Sequence, residues 1–319
     1  MSAAPPLTIV AFALPLGLDQ GHPDSAHWQR AVDQEAADAA WQYLRQASVL
    51  QRSHLPADSL SACHETAWGQ AMGWQVSDGL VPMAAWQAQH LGLRCPPAHG
   101  WAFIDAVNWH IGQGQVTLHV PTPITPEESD ALLLAMQPFM AQDGIELHRL
   151  QAGRWLAHGT VFKHLPSVSL DRVNDQRIDV FLQPGSMAAQ SPAQRQLRRL
   201  QNEMQMLFYT HAVNEHRAVA INSVWFSGTG DLPLPSDTAT PQVVLDASLQ
   251  QAWLAQSPAV FLPAFKLVVN ALIVPTLLRQ EQVLLCHPHR SVVLQSPATD
   301  WPSKLRQWFR PSLLCEVLQ

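Results

Sequence analysis

Positive charge is scarce in this chain. Lysine and arginine total 19 against 25 aspartates and glutamates, for a formal net charge of −6. No broad basic field exists to condense onto a phosphate backbone or an anionic bilayer, so neither nucleic acid nor a membrane is expected as a partner. The local exception is Arg195, Arg198 and Arg199, which read as the wet face of a helix. Cysteine is also sparse: Cys63, Cys95, Cys286 and Cys315 lie far apart with no CxxC pair. That excludes a dense disulfide framework and fits thiols in a reducing compartment. Long apolar runs are short or interrupted. Residues 7–16 follow Met-Ser-Ala-Ala-Pro-Pro, without the Lys or Arg of a signal peptide. Residues 267–278 contain Asn270 and Pro275 and fall short of the roughly 20 residues a bilayer needs. A soluble cytoplasmic protein is expected.

What is present supports a packed chain. At 319 residues, 47% hydrophobic and 14% charged, it has room for two domains or for one core with an insertion. The apolar run 7–14 predicts a buried strand and 26–46 a helix, with Trp28, Val32, Ala36, Ala40 and Tyr43 spaced by three and four. Further helices are predicted over 63–72 and 82–90, the second stopped by Gly92 ahead of Pro96 and Pro97. From 101 to 230 the pattern becomes α+β. A hairpin strand carries Val116, Leu118 and Val120; Thr125, Pro126 and Glu128 open a helix with a capping box; strands follow at 145–150 and 154–158. A long helix from Ser191-Pro192 carries Leu197, Leu200, Met204, Leu207 and His211 at helical spacing. After the Gly- and Pro-rich loop 230–241, short buried strands are predicted at 242–245 and 282–286. The whole reads as an α/β core, residues 1–97 and 231–319, interrupted by an inserted α+β domain, 98–230.

The densest polar stretch is 200–230, where LQNEMQM, THAVNEHR and NSVWFSGTG follow one another. Together with DSLSACHETA at 58–67, the region 109–118, GRWLA from Gly153 and SLDR ending at Arg172, these motifs occur in the order of a known family. The chain resembles the bacterial phosphoglycerate-mutase-like proteins of the Rpf-type regulatory protein E family. Through them it is similar to the archaeal-type cofactor-independent phosphoglycerate mutases of the alkaline phosphatase superfamily. The resemblance implies an alkaline-phosphatase-like core with an inserted domain. It also implies that His211, Asn214, Glu215, Arg217 and Asn222 sit where the insertion returns to the core.

Those mutases use two divalent metals and a serine nucleophile, which requires clustered Asp and His ligands at strand ends. Here the opening strand is followed by Ala13-Leu14-Pro15-Leu16-Gly17, and Asp19 comes late. The nucleophile motif aligns with Leu60-Ser61-Ala62-Cys63-His64, or, shifted by one, places Ser59 at the serine; either way the paired aspartate is missing. The expectation is a noncatalytic regulatory or binding protein without a cofactor. It would take a protein partner or a small phosphorylated or carboxylate ligand. The alternatives are an active phosphomutase or phosphoester hydrolase needing a divalent metal, and an interaction module docking through 262–285.

Each candidate also has a structural reading. Ser61 and His64 could be nucleophile and base, or Ser61 could be an N-cap with Glu65 nearby. His287 and His289, at i,i+2 of a strand, could ligate a metal or lie in a loop. Gly228-Thr229-Gly230 reads as a turn, lacking the third glycine of a phosphate loop. The five polar residues between 211 and 222 could bind an anion through Arg217 or form a hydrogen-bond network fixing how the domains meet. Twelve tryptophans are expected in the core.

Overall fold

The computed structural model describes residues 6–15, 18, 23–34, 38–112, 114–121, 123–182, 191–233, 243–254 and 257–297. Asp19, Cys315 and most of the loop read at 230–241 lie outside the described residues. In chain order the elements are β1 (Leu7–Val10), α1 (Ser25–Gln34), α2 (Ala39–Gln46), β2 (Ser48–His54), α3 (Cys63–Ala71), α4 (Met83–His90), β3 (Gly100–Gly112), β4 (Gln115–His119), α5 (Pro126–Gln142), β5 (Glu146–Gln151) and β6 (Arg154–Gly159). They continue with α6 (Leu170–Val173), α7 (Asp179–Leu182), α8 (Pro192–Tyr209), β7 (Ser223–Gly230), β8 (Val243–Asp246), α9 (Gln250–Leu254), α10 (Pro258–Val268), α11 (Val274–Leu278), β9 (Gln282–Cys286) and β10 (Arg290–Gln295). The protein is mixed α/β and divides into two compact units. Unit 1 comprises Met1–Ala57, Ala62–Gln75 and Ser236–Gln319; unit 2 comprises Asp58–Ser61 and Val76–Pro235. The first long excursion out of unit 1 therefore begins after residue 75, where the sequence reading drew the boundary at 97. The reason is α4: its Ala84, Ala85 and Ala88 pack on Trp101 and Leu156, which belong to unit 2.

Unit 1 is built on a sheet of order β2-β10-β9-β1-β8. Strand β1 lies parallel to both β8 and β9, and β10 runs antiparallel to β9 and β2. A parallel strand covered on both faces reads as an unbroken apolar run, as LTIV does. The strand ends at Val10 rather than at residue 14, because Phe12 turns the backbone at φ 59°. The turn stays tied to the sheet: Ala11 N donates to Asp246 O at 2.8 Å and Ala13 N to Cys286 O at 2.9 Å. The helix expected over 26–46 is two, because Asp38 caps α2, its Oδ1 accepting the Ala40 N–H at 3.0 Å. Trp28 meets Phe261 edge-on at 5.7 Å, and Trp41 meets Phe265 at 5.5 Å.

The C-terminal apolar helix is longer than its sequence implied. Pro258–Leu278 is continuous over 21 residues with a mean hydropathy of 1.9, long and apolar enough by length and composition to cross a bilayer. Its Phe261, Phe265, Val269, Ile273 and Leu277, spaced by four, have no exposed surface and belong to unit 1's core. That one-sided stripe is the pattern of a core helix. A wide π turn over Val269–Ile273 accommodates Pro275, which has no N–H for the carbonyl four residues back. Of the 262–285 stretch expected as a docking face, nine of 24 residues are buried; Leu267 and Leu278 are its large exposed side chains.

Unit 2 carries the sheet β4-β3-β6-β5, with β7 also paired to β3. Successive strand residues face opposite ways, so Ala102, Ile104 and Ala106 pack with Leu132 and Met136 of α5 and Leu200 and Met204 of α8. Trp101 and Phe103 pack on the α4 side instead. Helix α5 starts as read: Thr125 Oγ1 accepts the Glu128 N–H at 3.2 Å and Glu128 Oε2 accepts the Thr125 N–H at 2.8 Å. The α8 arginines divide their roles. Arg199 pairs with Asp143 and Glu203, whereas half-buried Arg198 lines a cavity of about 110 Å³. Gly228-Thr229-Gly230 is the buried end of β7, not a free turn.

Candidate functional site

In open sheets, ligands gather at the carboxyl ends of parallel strands. In unit 1 those ends bring together Ala11-Phe12-Ala13 after β1, Asp246 closing β8, Cys286-His287 closing β9, and Cys63-His64 opening α3. Rings fill this edge. Phe12 lies 5.4 Å from His64 and 5.6 Å from Trp253, Trp253 lies 5.6 Å from His287, and His287 lies 5.5 Å from His289. Phe12, His64, Trp253 and His287 are all buried, and Trp253 Nε1 donates to Leu14 O at 3.2 Å. Asp246 turns its carboxylate back on its own loop, Oδ1 accepting from Ser248 N at 3.2 Å and Ser248 Oγ at 2.7 Å.

His287 and His289 occupy the turn between β9 and β10 rather than a strand. The turn closes on itself: His289 N donates to His287 Nδ1 at 3.1 Å and His287 N to Arg290 O at 2.8 Å. Burial, with Cys63 nearby, raises the Cys286 thiol well above its ordinary value, so it stays protonated at neutral pH. Buried Arg290 donates from Nη2 to Pro15 O at 3.1 Å. Desolvation pulls its guanidinium down to about 10, still charged at neutral pH.

Ser59 and Ser61 fall in unit 2 and His64 in unit 1. Ser61 is not the helix cap expected of it. Ala62 holds that position, with its N–H donating to Glu65 Oε2 at 2.8 Å. Ser61 serves a loop instead: its Oγ accepts the Gly79 N–H at 2.8 Å, and its N–H donates to Asp78 Oδ1 at 2.8 Å. Asp78 Oδ2 accepts from Leu60 N at 2.7 Å. Burial acts to raise the Asp78 carboxyl, but the Leu60 and Ser61 N–H groups hold it below its ordinary value. The Ser59 carbonyl accepts from Arg172 Nε at 3.1 Å.

The polar residues between 211 and 222 lie entirely within unit 2. Helix α8 ends at Tyr209, so His211 caps the short turn beyond it, Nδ1 accepting the Val213 N–H at 3.2 Å. Asn214 bridges Phe208 O and Ile221 O through Nδ2, at 2.9 and 2.8 Å, and accepts the Ile221 N–H at 2.8 Å. Asn222 pairs with both backbone groups of Trp109, at 2.7 and 3.0 Å. Arg217 Nη1 donates to both oxygens of Glu128, at 3.0 and 2.9 Å, tying the loop to the first turn of α5. Glu215 is exposed. The Thr125 N–H, then Arg217, keep the Glu128 carboxyl below its ordinary value.

One further gathering of donors lies on positions the sequence reading did not single out. Among the described residues, the group of three His, Cys, Asp or Glu donors that converges within 4.8 Å is Glu146, His148 and His158, in unit 2. Its sequence signal was Glu-Leu-His, two donors at i,i+2 of a predicted strand, but the third comes from the neighbouring strand.

No family model matches the chain, and no curated protein does. Among solved structures, it is similar to a protein from Pyrococcus horikoshii at 11% identity and a TM-score of 0.42, over 94% of this chain and 90% of that one. It is also similar to the cofactor-independent phosphoglycerate mutase from Thermoplasma acidophilum at 11% identity and a TM-score of 0.31, over 91% and 89%.

Proposed function

We propose that the chain is a noncatalytic relative of the cofactor-independent phosphoglycerate mutases, a regulatory or binding protein of the bacterial cytoplasm with an alkaline-phosphatase-like core. The ordered motifs between 58 and 230 support the kinship. The observation that carries the loss of catalysis is the ring packing of Phe12, His64, Trp253 and His287 at the carboxyl ends of β1 and β9. Moving a phosphoryl group there needs cations held by clustered oxygen and imidazole donors in a cavity. Phe12 follows β1, and the described carboxylate at this edge, Asp246, bonds its own turn. This donor set does not fit a two-cation site.

Turnover of 3-phosphoglycerate and of p-nitrophenyl phosphate, assayed with Mg²⁺, Mn²⁺ and Zn²⁺, tests the reading. The expected result is no turnover above a Ser59→Ala/Ser61→Ala control. Turnover that this control lacks would establish the active-enzyme alternative.

A further inference from the structure

We propose that unit 2 binds one divalent transition-metal ion of zinc's class through Glu146, His148 and His158. The proposal is independent of the reading of unit 1. Strand geometry assembles the donors. Glu146 and His148 are two residues apart on β5 and so share a face, and the register of β5 with β6 sets His158 directly opposite Glu146. His158 Nε2 lies 3.5 Å from Glu146 Oε2, and His148 Nε2 lies 3.7 Å from Glu146 Oε1. Donors about 2.0–2.1 Å from a tetrahedral zinc are separated by about 3.3 Å, so side-chain adjustments of well under a strand spacing close the site.

Three features point to an ion rather than to a plain ion pair. First, His148 Nε2 is buried without a hydrogen-bond partner among the described residues, and the Glu146 oxygen it faces is too distant for such a bond. A metal would satisfy it. Second, buried His158 is held from behind, its Nδ1 3.0 Å from Nδ1 of His99. With the proton on His158 Nδ1, that group donates to His99 and leaves the Nε2 lone pair facing Glu146. This is the tautomer a ligating imidazole needs, with the outer partner fixing ring orientation. Third, buried Trp101 packs against both imidazoles, with ring centroids at 5.5 Å from His148 and 4.9 Å from His158, which limits their rotation. Glu146 is exposed on an edge strand, giving an ion a path from solvent. Two imidazoles and one carboxylate suit zinc and leave a coordination position for water or a ligand. His99 and Trp101 also line a groove of about 610 Å³ with Arg94, Cys95 and Asp231.

The test uses the tag-free full chain, freed of metal by dialysis against a chelator and titrated with Co²⁺ and then Zn²⁺. The expected result is one equivalent of Co²⁺ with visible d–d absorption, no thiolate charge-transfer band, and displacement by Zn²⁺. His148→Ala and His158→Ala should each weaken binding about 100-fold or more, and Glu146→Gln should weaken it and shift the band. His99→Ala, at a positioning residue, should cost about 10- to 100-fold and shift the Co²⁺ band while keeping one site. His287→Ala should change nothing. Glu146→Gln, at an exposed position, keeps the test valid where a histidine variant fails to fold. Absence of the Co²⁺ spectrum overturns the proposal, as does binding unaltered by Glu146→Gln and His148→Ala, or binding lost only in His287→Ala.

Discussion

Phe12 packs against His64 with ring centroids 5.4 Å apart, from a backbone that turns at φ 59° as it leaves β1. An aromatic side chain thus stands just past β1, at the carboxyl edge of unit 1's sheet. The contact makes this strand end part of unit 1's core.

Phe12→Ala should destabilise unit 1 by about 3–5 kcal/mol, the range for truncating a buried phenylalanine. Phe12→Gly removes one carbon more, yet it should be less damaging by about 1 kcal/mol, because only glycine adopts positive φ without strain. Urea unfolding of the two variants measures the difference. A glycine variant less stable than the alanine variant contradicts the strained turn.

The amide network in unit 2 separates structural from ligand-binding roles. Asn222→Ala strands both backbone groups of Trp109 and should cost about 1–3 kcal/mol. Glu215 is exposed in the same polar stretch, and Glu215→Ala should stay within about 0.5 kcal/mol of wild type. Chemical denaturation compares them, and equal effects would argue against a network anchored on the backbone.

Asp105 gives a pH dependence. Burial raises its carboxyl to about 6, opposed by Arg154 at 2.7 Å, whereas an unfolded aspartate titrates near 3.9. A folded value above the unfolded one contributes stability that is full below about pH 4 and is lost as pH rises through about 6. The stability of the wild type minus that of Asp105→Asn should therefore be greater at about pH 4 than at about pH 7.5, by up to about 3 kcal/mol. Denaturation of both proteins across this window checks the sign; a flat or reversed difference contradicts it.

Gly100 opens β3 against the backbone of Lys163, where an added Cβ would meet Lys163 Cα at 2.5 Å. Backbone cannot move aside as a side-chain tip can, so Gly100→Ala should cost about 3 kcal/mol. A melting temperature unchanged from wild type would refute the close approach.

Local signals were the legible ones. Thr125, Pro126 and Glu128 lie within four residues and announced α5, and the apolar face of α8 from Leu197 to Met204 follows helical spacing. Strand β9 was visible as a short apolar run. By contrast, β2 is an exposed edge strand without alternation, and the break between α1 and α2 depends on Asp38 acting as a cap within an otherwise helical pattern. The conformation of Phe12 has no composition cue. The candidate site was least legible where it depends on pairing: Glu146 and His158 are twelve positions apart, and only the β5–β6 register makes them neighbours. The polar run 211–222 was visible as polar, but its partners, the backbones of Phe208, Ile221 and Trp109, could not be read from spacing.

The most direct test of the central claim is Mn²⁺ binding to the His148→Ala/His158→Ala double variant, which lacks the unit 2 donors and leaves unit 1 intact. The account predicts no tight equivalent and no conversion of 3-phosphoglycerate. Two tightly bound equivalents accompanied by mutase turnover would contradict it.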